Sequence, residues 1–404
     1  MIWCAEALSL VLEHSNPLPK TRVPLDEALG MALAEDLWAE EAIPAFNNSA
    51  MDGFAIRSTD LDPGATFEVI GTLPAGQSFD GKLAPGQALR IMTGAPIPEG
   101  ADTVVPLEHT QEGPNGLEVL EAPLPGAHVR PMGSDLQPGA LVLRAGEPLR
   151  PAGISILASL GVNLIPVRPR PRVGILSTGN ELVPITSRPG PGQIRDGGWH
   201  GIAAQVSAVG ALPVCFPRIP DCMVATEEAI RHALSQCDVL LTLGGVSVGD
   251  CDFVKPALEA LGARKVFWRV AQKPGGPFAF WVLDGKPIFG LPGNPVSSMV
   301  NAEHYVRPAL RQMMGFTHRF RPVCSAILDE DWQKETPDGK AHFLQVTTTR
   351  ETDGLHARLT GRQGSAYLTS LLQATGIAIA DSETSKLRKG DLVQVHMTQS
   401  PEDH

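Results

Sequence analysis

The spacing of apolar residues changes character several times along the chain. Ala7, Leu8, Val11 and Leu12 share one side of a helical wheel, so Met1–His14 is expected to form an amphipathic helix. Leu25–Trp38, rich in Ala, Leu and Glu, reads as a second helix. From Pro44 to Pro138 the apolar runs shorten to Phe67–Ile70, Ala88–Met92, Thr103–Leu107 and Leu117–Leu120, with Gly/Pro turns between them. That texture predicts a small all-β module. Helical spacing returns over Pro151–Leu160 and stops at Gly161, a typical position just past a helix end.

The stiff basic run Val167–Arg172 marks a domain boundary. Beyond it strand and helix patterns alternate. Strands are expected at Val173–Leu176, Val214–Ile219, Val239–Leu243 and Val266–Val270, and helices at His200–Val209, Thr226–Ser235 and Phe253–Leu261. Phe278–Leu283 and Pro287–Leu291 flank Asp284-Gly285, a strong hairpin signal, and a helix over Ser297–Met313 closes the region. Such alternation argues a doubly wound, mostly parallel α/β sheet. Val323–Leu328, Phe343–Thr349, His356–Thr360, Ile377–Ala380 and Leu392–Met397 then predict a second β module.

With 404 residues, 43% of them hydrophobic, the chain can build several cores, so general disorder is excluded. A net charge of −11 argues against nucleic acid and anionic membranes as partners, though not against small anions held by backbone amides. The six cysteines show no C-x-x-C, the N-terminal stretch has no basic region ahead of its apolar residues, and no apolar run approaches membrane-spanning length. A soluble cytoplasmic protein with reduced thiols is expected. Zinc and P-loop signatures are absent.

Ligands of open α/β sheets collect outside the carboxyl ends of the strands. Three such ends here carry small or Gly-rich loops: Ser177-Thr178-Gly179-Asn180-Glu181, Gly244-Gly245-Val246-Ser247-Val248-Gly249-Asp250, and Pro292-Gly293-Asn294 leading to Ser297. Glycines there let backbone N–H groups face an anion. Glu181, Asp250 and Asp252 lie in these loops, with Asp196 and Asp221 in nearby segments. Carboxylates beside phosphate-cradling amides suit Mg²⁺, although Asp252 would also serve as a helix cap.

Together these segments resemble the molybdopterin molybdenumtransferase family, also called MoeA and the E-domain of gephyrin. The resemblance is carried by FNNSAMDGFAI (46–56), RIMTGAPIPEGADTVVPLE (90–108), GILSTGNEL (174–182), GQIRD (192–196), LLTLGGVSVGDCDF (240–253), QKPGGPFAF (272–280) and FGLPGNPVSS (289–298), with RQGSAYLTSL (362–371) as a weaker match. It implies a multidomain α/β and β fold. Residues 1–43 and 138–166 would form a linking α+β region with N-terminal helices, and 44–137 an inserted β module. Residues 167–315 would form a MogA-like α/β molybdopterin-binding domain, and 316–404 a C-terminal β-barrel.

The implied activity is the last step of molybdenum cofactor biosynthesis. Molybdate enters the dithiolene of adenylylated molybdopterin, and Mg²⁺-dependent hydrolysis releases AMP. By resemblance, Asp52, Thr93, Asp135, Glu181, Asp221 and Asp252 match positions implicated in that chemistry, with Glu181, Asp221 and Asp252 as metal ligands. Ser177, Thr178, Gly179, Gly244, Gly245, Ser247, Gly249, Pro292, Gly293 and Asn294 would bind the nucleotide-capped pterin. Lys273, Ser297 and Ser365 match oxyanion-binding positions. The resemblance also implies a homodimer in which Asp52, Thr93 and Asp135 complete the site of the other subunit, and the upstream adenylyltransferase is a candidate partner.

The chain departs from the family pattern at three places. Gly276 stands where a second Lys is common, Gln345 where an Arg is common, and Gly197-Gly198 where Ser or Thr followed by Asn is common. Arg362 is the expected compensating cation. The alternative functions are a diverged, non-catalytic pterin-binding or scaffold paralogue and a molybdopterin adenylyltransferase.

Overall fold

The computed structural model describes residues 1–246 and 252–399. It divides into two compact units, one made of residues 1–34, 146–150 and 165–404, the other of 35–145 and 151–164.

The first unit is built on a six-stranded sheet in the order Leu212–Cys215, Arg172–Ser177, Val239–Leu243, Lys286–Leu291, Ala279–Leu283, Arg264–Trp268. The first four strands run parallel. Ala279–Leu283 is antiparallel to both of its neighbours. Its hairpin turns at Asp284 and Gly285, both at positive φ (50° and 76°), as a D-G turn of the primed type requires. Near-continuous apolar strands are buried on both faces. Ile175, Leu241 and Phe289 meet Val11, Ile202 and Tyr305 on one side. Leu176, Leu240 and Ile288 meet Ile230, Ala257 and Leu258 on the other. The alternation places helices Cys4–Glu13, Gly197–Val209 and the segment from Pro295 over one face, and Met223–Gln236 and Val254–Ala260 over the other.

Five C-terminal strands, Val323–Leu328, Ala341–Glu351, Gly354–Leu359, Gly376–Ala380 and Leu392–Met397, close into a barrel because Ala341–Glu351 pairs with both Gly354–Leu359 and Gly376–Ala380. Leu344 and Val346 point into its core, while Phe343 and Ile377 pack outward on Val296 and Val300. The second unit carries a six-stranded sheet in the order Thr103–Pro106, Gly53–Ile56, Gln87–Ile91, Thr66–Leu73, Gly116–Val119, Thr110–Gly113. Among the described residues no helix is long and apolar enough to cross a membrane.

One element differs in kind from its sequence pattern. Leu25–Trp38 is not a helix; only Leu25–Glu27 forms a 3-10 turn. Gly30 sits at φ 75°, and the chain then runs extended beside other segments. Gly30 and Leu33 donate to Leu149 and Glu147 carbonyls, and Ala34 to that of Pro166. Tertiary pairing buries Ala32 and Leu33 more completely than one helix face could, overriding their helix propensity. The helix expected at Phe253 starts at Val254, with Phe253 rather than Asp252 at its cap position.

The segment from Pro295 to Met313 is helical throughout but widens to a π turn over Ala302–Val306. That turn carries His304 into a pocket where its ring meets Tyr305 and Phe343 edge-on, each 4.8 Å away. Burial lowers its pKa from 6.5 to about 4, and the nearby His396 pushes the same way. Below about pH 6.5 the unfolded chain therefore takes up a proton that the folded one refuses, and stability falls as pH drops towards 4. Urea unfolding at pH 7.5 and 4.5 should show a loss of roughly 2–3 kcal/mol from this group. His304→Phe should remove that part of the pH dependence.

Candidate functional site

The strand order of the α/β sheet reverses between Arg172–Ser177 and Val239–Leu243: the connection after the first leaves to one side, and that after the second to the other. The crevice outside such a switch point is where doubly wound folds bind ligands. Its floor is tightly closed. Thr178 donates its backbone N–H to Leu243 O (3.1 Å), and Gly244 donates to Leu291 O (3.0 Å). A Cβ on Gly244 would lie 3.0 Å from Thr178 Oγ1, one on Gly245 2.5 Å from Val254 Cγ2, and one on Gly293 3.7 Å from Gly244 Cα. Gly244 and Gly245 also hold φ of 85° and 68°, so side chains are excluded there by space and backbone alike. The three loops singled out in the sequence thus meet at one place. Ser247 and Gly249, with Asp250, lie outside the described residues.

The acidic residues are partly spent on holding these loops. Asp221 Oδ2 accepts the Asn180 backbone N–H (3.2 Å), and Asn180 Oδ1 accepts that of Asp221 (3.3 Å). Glu181 folds its carboxylate over Gly179, whose Cα leaves only 2.5 Å between a notional Cβ and Oε2. Among the described residues, the trio with ligand atoms within 4.8 Å of one another is Asp329, Glu351 and His356, not Glu181, Asp221 and Asp252. In that trio both His356 nitrogens are bonded to carboxylates, Asp329 (2.7 Å) and Asp353 (2.9 Å), which raise its pKa and make it an ion-pair cluster. The strand-end carboxylates do not need to converge in advance, because Mg²⁺ takes one or two carboxylates and completes its shell with phosphate oxygens and water. Hard oxygen donors beside glycine-containing loops fit that ion.

Beside Ser177 opens a cavity of about 400 Å³, lined by Trp199, Phe216, Ile185, Asp196 and Arg218, large enough for a flat heterocycle. Lys273 lies on a short strand that pairs with Ala341 and His342 of the barrel. The Gln363–Ser365 loop reaches the helix from Pro295, where Asn294 Nδ2 contacts Ser365 Oγ (3.4 Å). Ser297 is buried in the first turn of that helix. Arg362 is exposed and stacks on Tyr367, 5.8 Å from the ring centre.

In the second unit, Asp52 and Thr93 form a pair. Asp52 Oδ1 accepts from both the backbone N–H and the hydroxyl of Thr93, each at 2.7 Å. These bonds hold the Asp52 carboxyl below its ordinary pKa, helped by Arg90. The backbone N–H of Asp135 donates to Ile43 O (3.0 Å).

Sequence reasoning missed a buried polar knot beneath Lys273. Gln272 Nε2 donates to Asn301 Oδ1 (2.6 Å) and Pro274 O (3.0 Å), and Asn301 Nδ2 donates to Gly275 O (3.0 Å). It also missed Lys334 and His342, which line a second cavity with Lys273. No motif marks them, since their partners lie on distant segments.

Comparison with known proteins gives a consistent picture. Residues 2–161 match the MoeA N-terminal region (domain I and II), 174–312 the probable molybdopterin binding domain, and 325–397 the MoeA C-terminal region (domain IV). The chain is 35% identical to molybdopterin molybdenumtransferase 2 of Mycobacterium tuberculosis, covering 96% of this chain and 97% of that one. It is 34% identical to the molybdopterin molybdenumtransferase of Haemophilus influenzae, covering 98% of both. Its fold superposes on the molybdopterin biosynthesis MoeA protein of Pyrococcus horikoshii with a TM-score of 0.86 at 27% identity, covering 99% of this chain and all of that one.

Proposed function

The chain belongs to the MoeA family of molybdopterin molybdenumtransferases, and on that premise we propose that it inserts molybdate into adenylylated molybdopterin and releases AMP. The meeting of three small-residue loops at the switch point carries this reading, because such a crevice suits a nucleotide-capped ligand. The amides of Gly179, Gly245 and Gly293 would face its phosphates. The Trp199–Phe216 cavity would take a heterocycle, with Ser177, Asp196 and Arg218 at its polar edge.

Mg²⁺ would be held by Glu181, Asp221 and Asp252, and when bound it neutralises charge building on the phosphoryl oxygens. Asp221 keeps the Ser177–Glu181 loop in place through Asn180, so it would position as well as ligate. Ser247 and Gly249 would extend the phosphate cradle, and Thr178, Gly244, Pro292 and Asn294 its walls. Lys273, Ser297 and Ser365 would hold the molybdate.

We propose a homodimer in which Asp52 and Thr93 of one subunit complete the site of the other, with Asp135 assisting from the same unit. The Thr93 bonds keep Asp52 ionised and aimed. Five described cysteines are free, in keeping with a reducing, cytoplasmic setting, and the upstream adenylyltransferase is the natural source of the substrate.

Purified protein should release AMP from adenylylated molybdopterin only when molybdate and Mg²⁺ are both present, measured by chromatography of the nucleotide. Release without molybdate, or its persistence in excess EDTA, would count against the reading.

A further inference from the structure

A tetrahedral dianion needs local positive charge on a protein of net charge −11, and two family cations are missing here. Gly276 cannot be read as a lysine lost without consequence for the backbone: a Cβ there would lie 3.0 Å from Gln272 O. Gln345 is wholly buried, its Nε2 turned to Phe343 O (3.2 Å). Arg362, stacked outward on Tyr367, does not line the space beside Lys273.

What does line that space is Lys334. A cavity of about 100 Å³ lies between Lys273, Lys334, His342 and Gln363, room for a few waters or one small polyatomic ion. Lys334 is only 6% exposed. Its ammonium donates to the carbonyls of Asp381 (3.0 Å) and Ser382 (2.9 Å), which occupy two of its three N–H donors. His342 lies within reach of both lysines. Burial lowers its pKa, and Lys334 and Lys273 add to the effect against the opposing pull of Asp338, which is 3.0 Å from Nε2. Glu335 also lines the cavity, so its field is mixed, but two lysines line the same small space. Like charges beside one space repel, and an anion between them reverses the sign of that interaction. The far wall is rigid: Gln363 accepts the Gln345 N–H (2.8 Å) and donates to Gln345 O (3.1 Å).

We propose that Lys334, across this cavity from Lys273, supplies the second cation for the oxyanion in place of those missing at 276 and 345. The inference rests on the reading that molybdate is a substrate.

Molybdate binding to the full-length protein, measured by isothermal titration calorimetry, tests it. Lys334→Gln should weaken binding roughly tenfold or more, as expected for a lost charge-assisted hydrogen bond. Lys334→Arg should restore most of the affinity. Lys386→Gln, which removes an exposed charge from the same barrel, should leave it unchanged. The KM for molybdate should rise in Lys334→Gln while the KM for the pterin nucleotide holds. Because Lys334 also ties down Asp381 and Ser382, a crystal of the wild type soaked in molybdate gives a second measurement, with an anomalous peak expected between the two lysine Nζ atoms. A peak elsewhere, or unaltered affinity in folded Lys334→Gln, overturns the inference. AMP release by the wild type reports separately on the function itself and would survive that outcome.

Discussion

Glu181→Gln is expected to lower Mg²⁺-dependent AMP release by roughly a hundredfold, the usual effect of removing one preorganised electrostatic group from a phosphoryl-type transition state. The substitution keeps shape and size and removes only the charge. Its backbone carbonyl still accepts the Ile194 N–H, so the loop should hold. Glu181 is exposed, and thermal stability should stay within about 0.5 kcal/mol of wild type. The same variant also tests the proposed sharing of sites. Mixed with an inactive Asp52→Ala protein and allowed to exchange subunits, it should regain about a quarter of wild-type activity, because half of the dimers are mixed and each of those has one intact site. If each site is built from a single chain, mixing restores nothing. Normal turnover by Glu181→Gln would remove it from the metal-ligand set.

Gly275→Ala should be the most damaging single methyl that this region can receive. Gly275 holds φ at 90°, where an L-residue loses about 1–2 kcal/mol. The added carbon would stand 2.4 Å from Asn301 Oδ1 and 2.8 Å from Gln272 Nε2, two atoms bonded to each other at 2.6 Å. Both side chains are buried to 1% exposure or less, so parting them takes its donor from Asn301 Oδ1, at a cost of about 1–3 kcal/mol. The combined loss is about 2–5 kcal/mol, and Tm should fall by roughly 10 °C. Lys273 directly follows Gln272, so any surviving folded fraction should also bind molybdate more weakly. Gly262→Ala is the control. Its φ is 81° but nothing lies within 4 Å of the new carbon, so only the backbone cost of about 1–2 kcal/mol remains. Equal losses at the two glycines would show that the buried amide knot contributes little.

Much of this protein was legible in its residue order. The β–α alternation after Arg172, the Asp284-Gly285 turn and the five C-terminal strands follow from local periodicity, since a strand buried on both faces and a helix with one apolar stripe leave different patterns. The three Gly-containing loops were visible for the same reason: their backbone requirements are local, and only small residues meet them. The family resemblance added expected roles for Asp52, Glu181 and Lys273 that no periodicity could supply.

Other features depend on segments far apart in the chain. Leu25–Trp38 carries helix-forming residues, yet its backbone groups found partners more than a hundred residues away. The bonds by which Asp221 holds the Asn180 loop are invisible until that loop is folded against it. Lys334 and Lys273 are separated by a β-hairpin, a helical segment and a barrel strand, and the pairing of Gln272–Lys273 with Ala341–His342 draws them around one cavity. Sequence determined the elements and the loops because those are set by neighbours within a few bonds. Tertiary structure alone decided which charges face each other, because Coulomb interaction depends on distance through space and not along the chain.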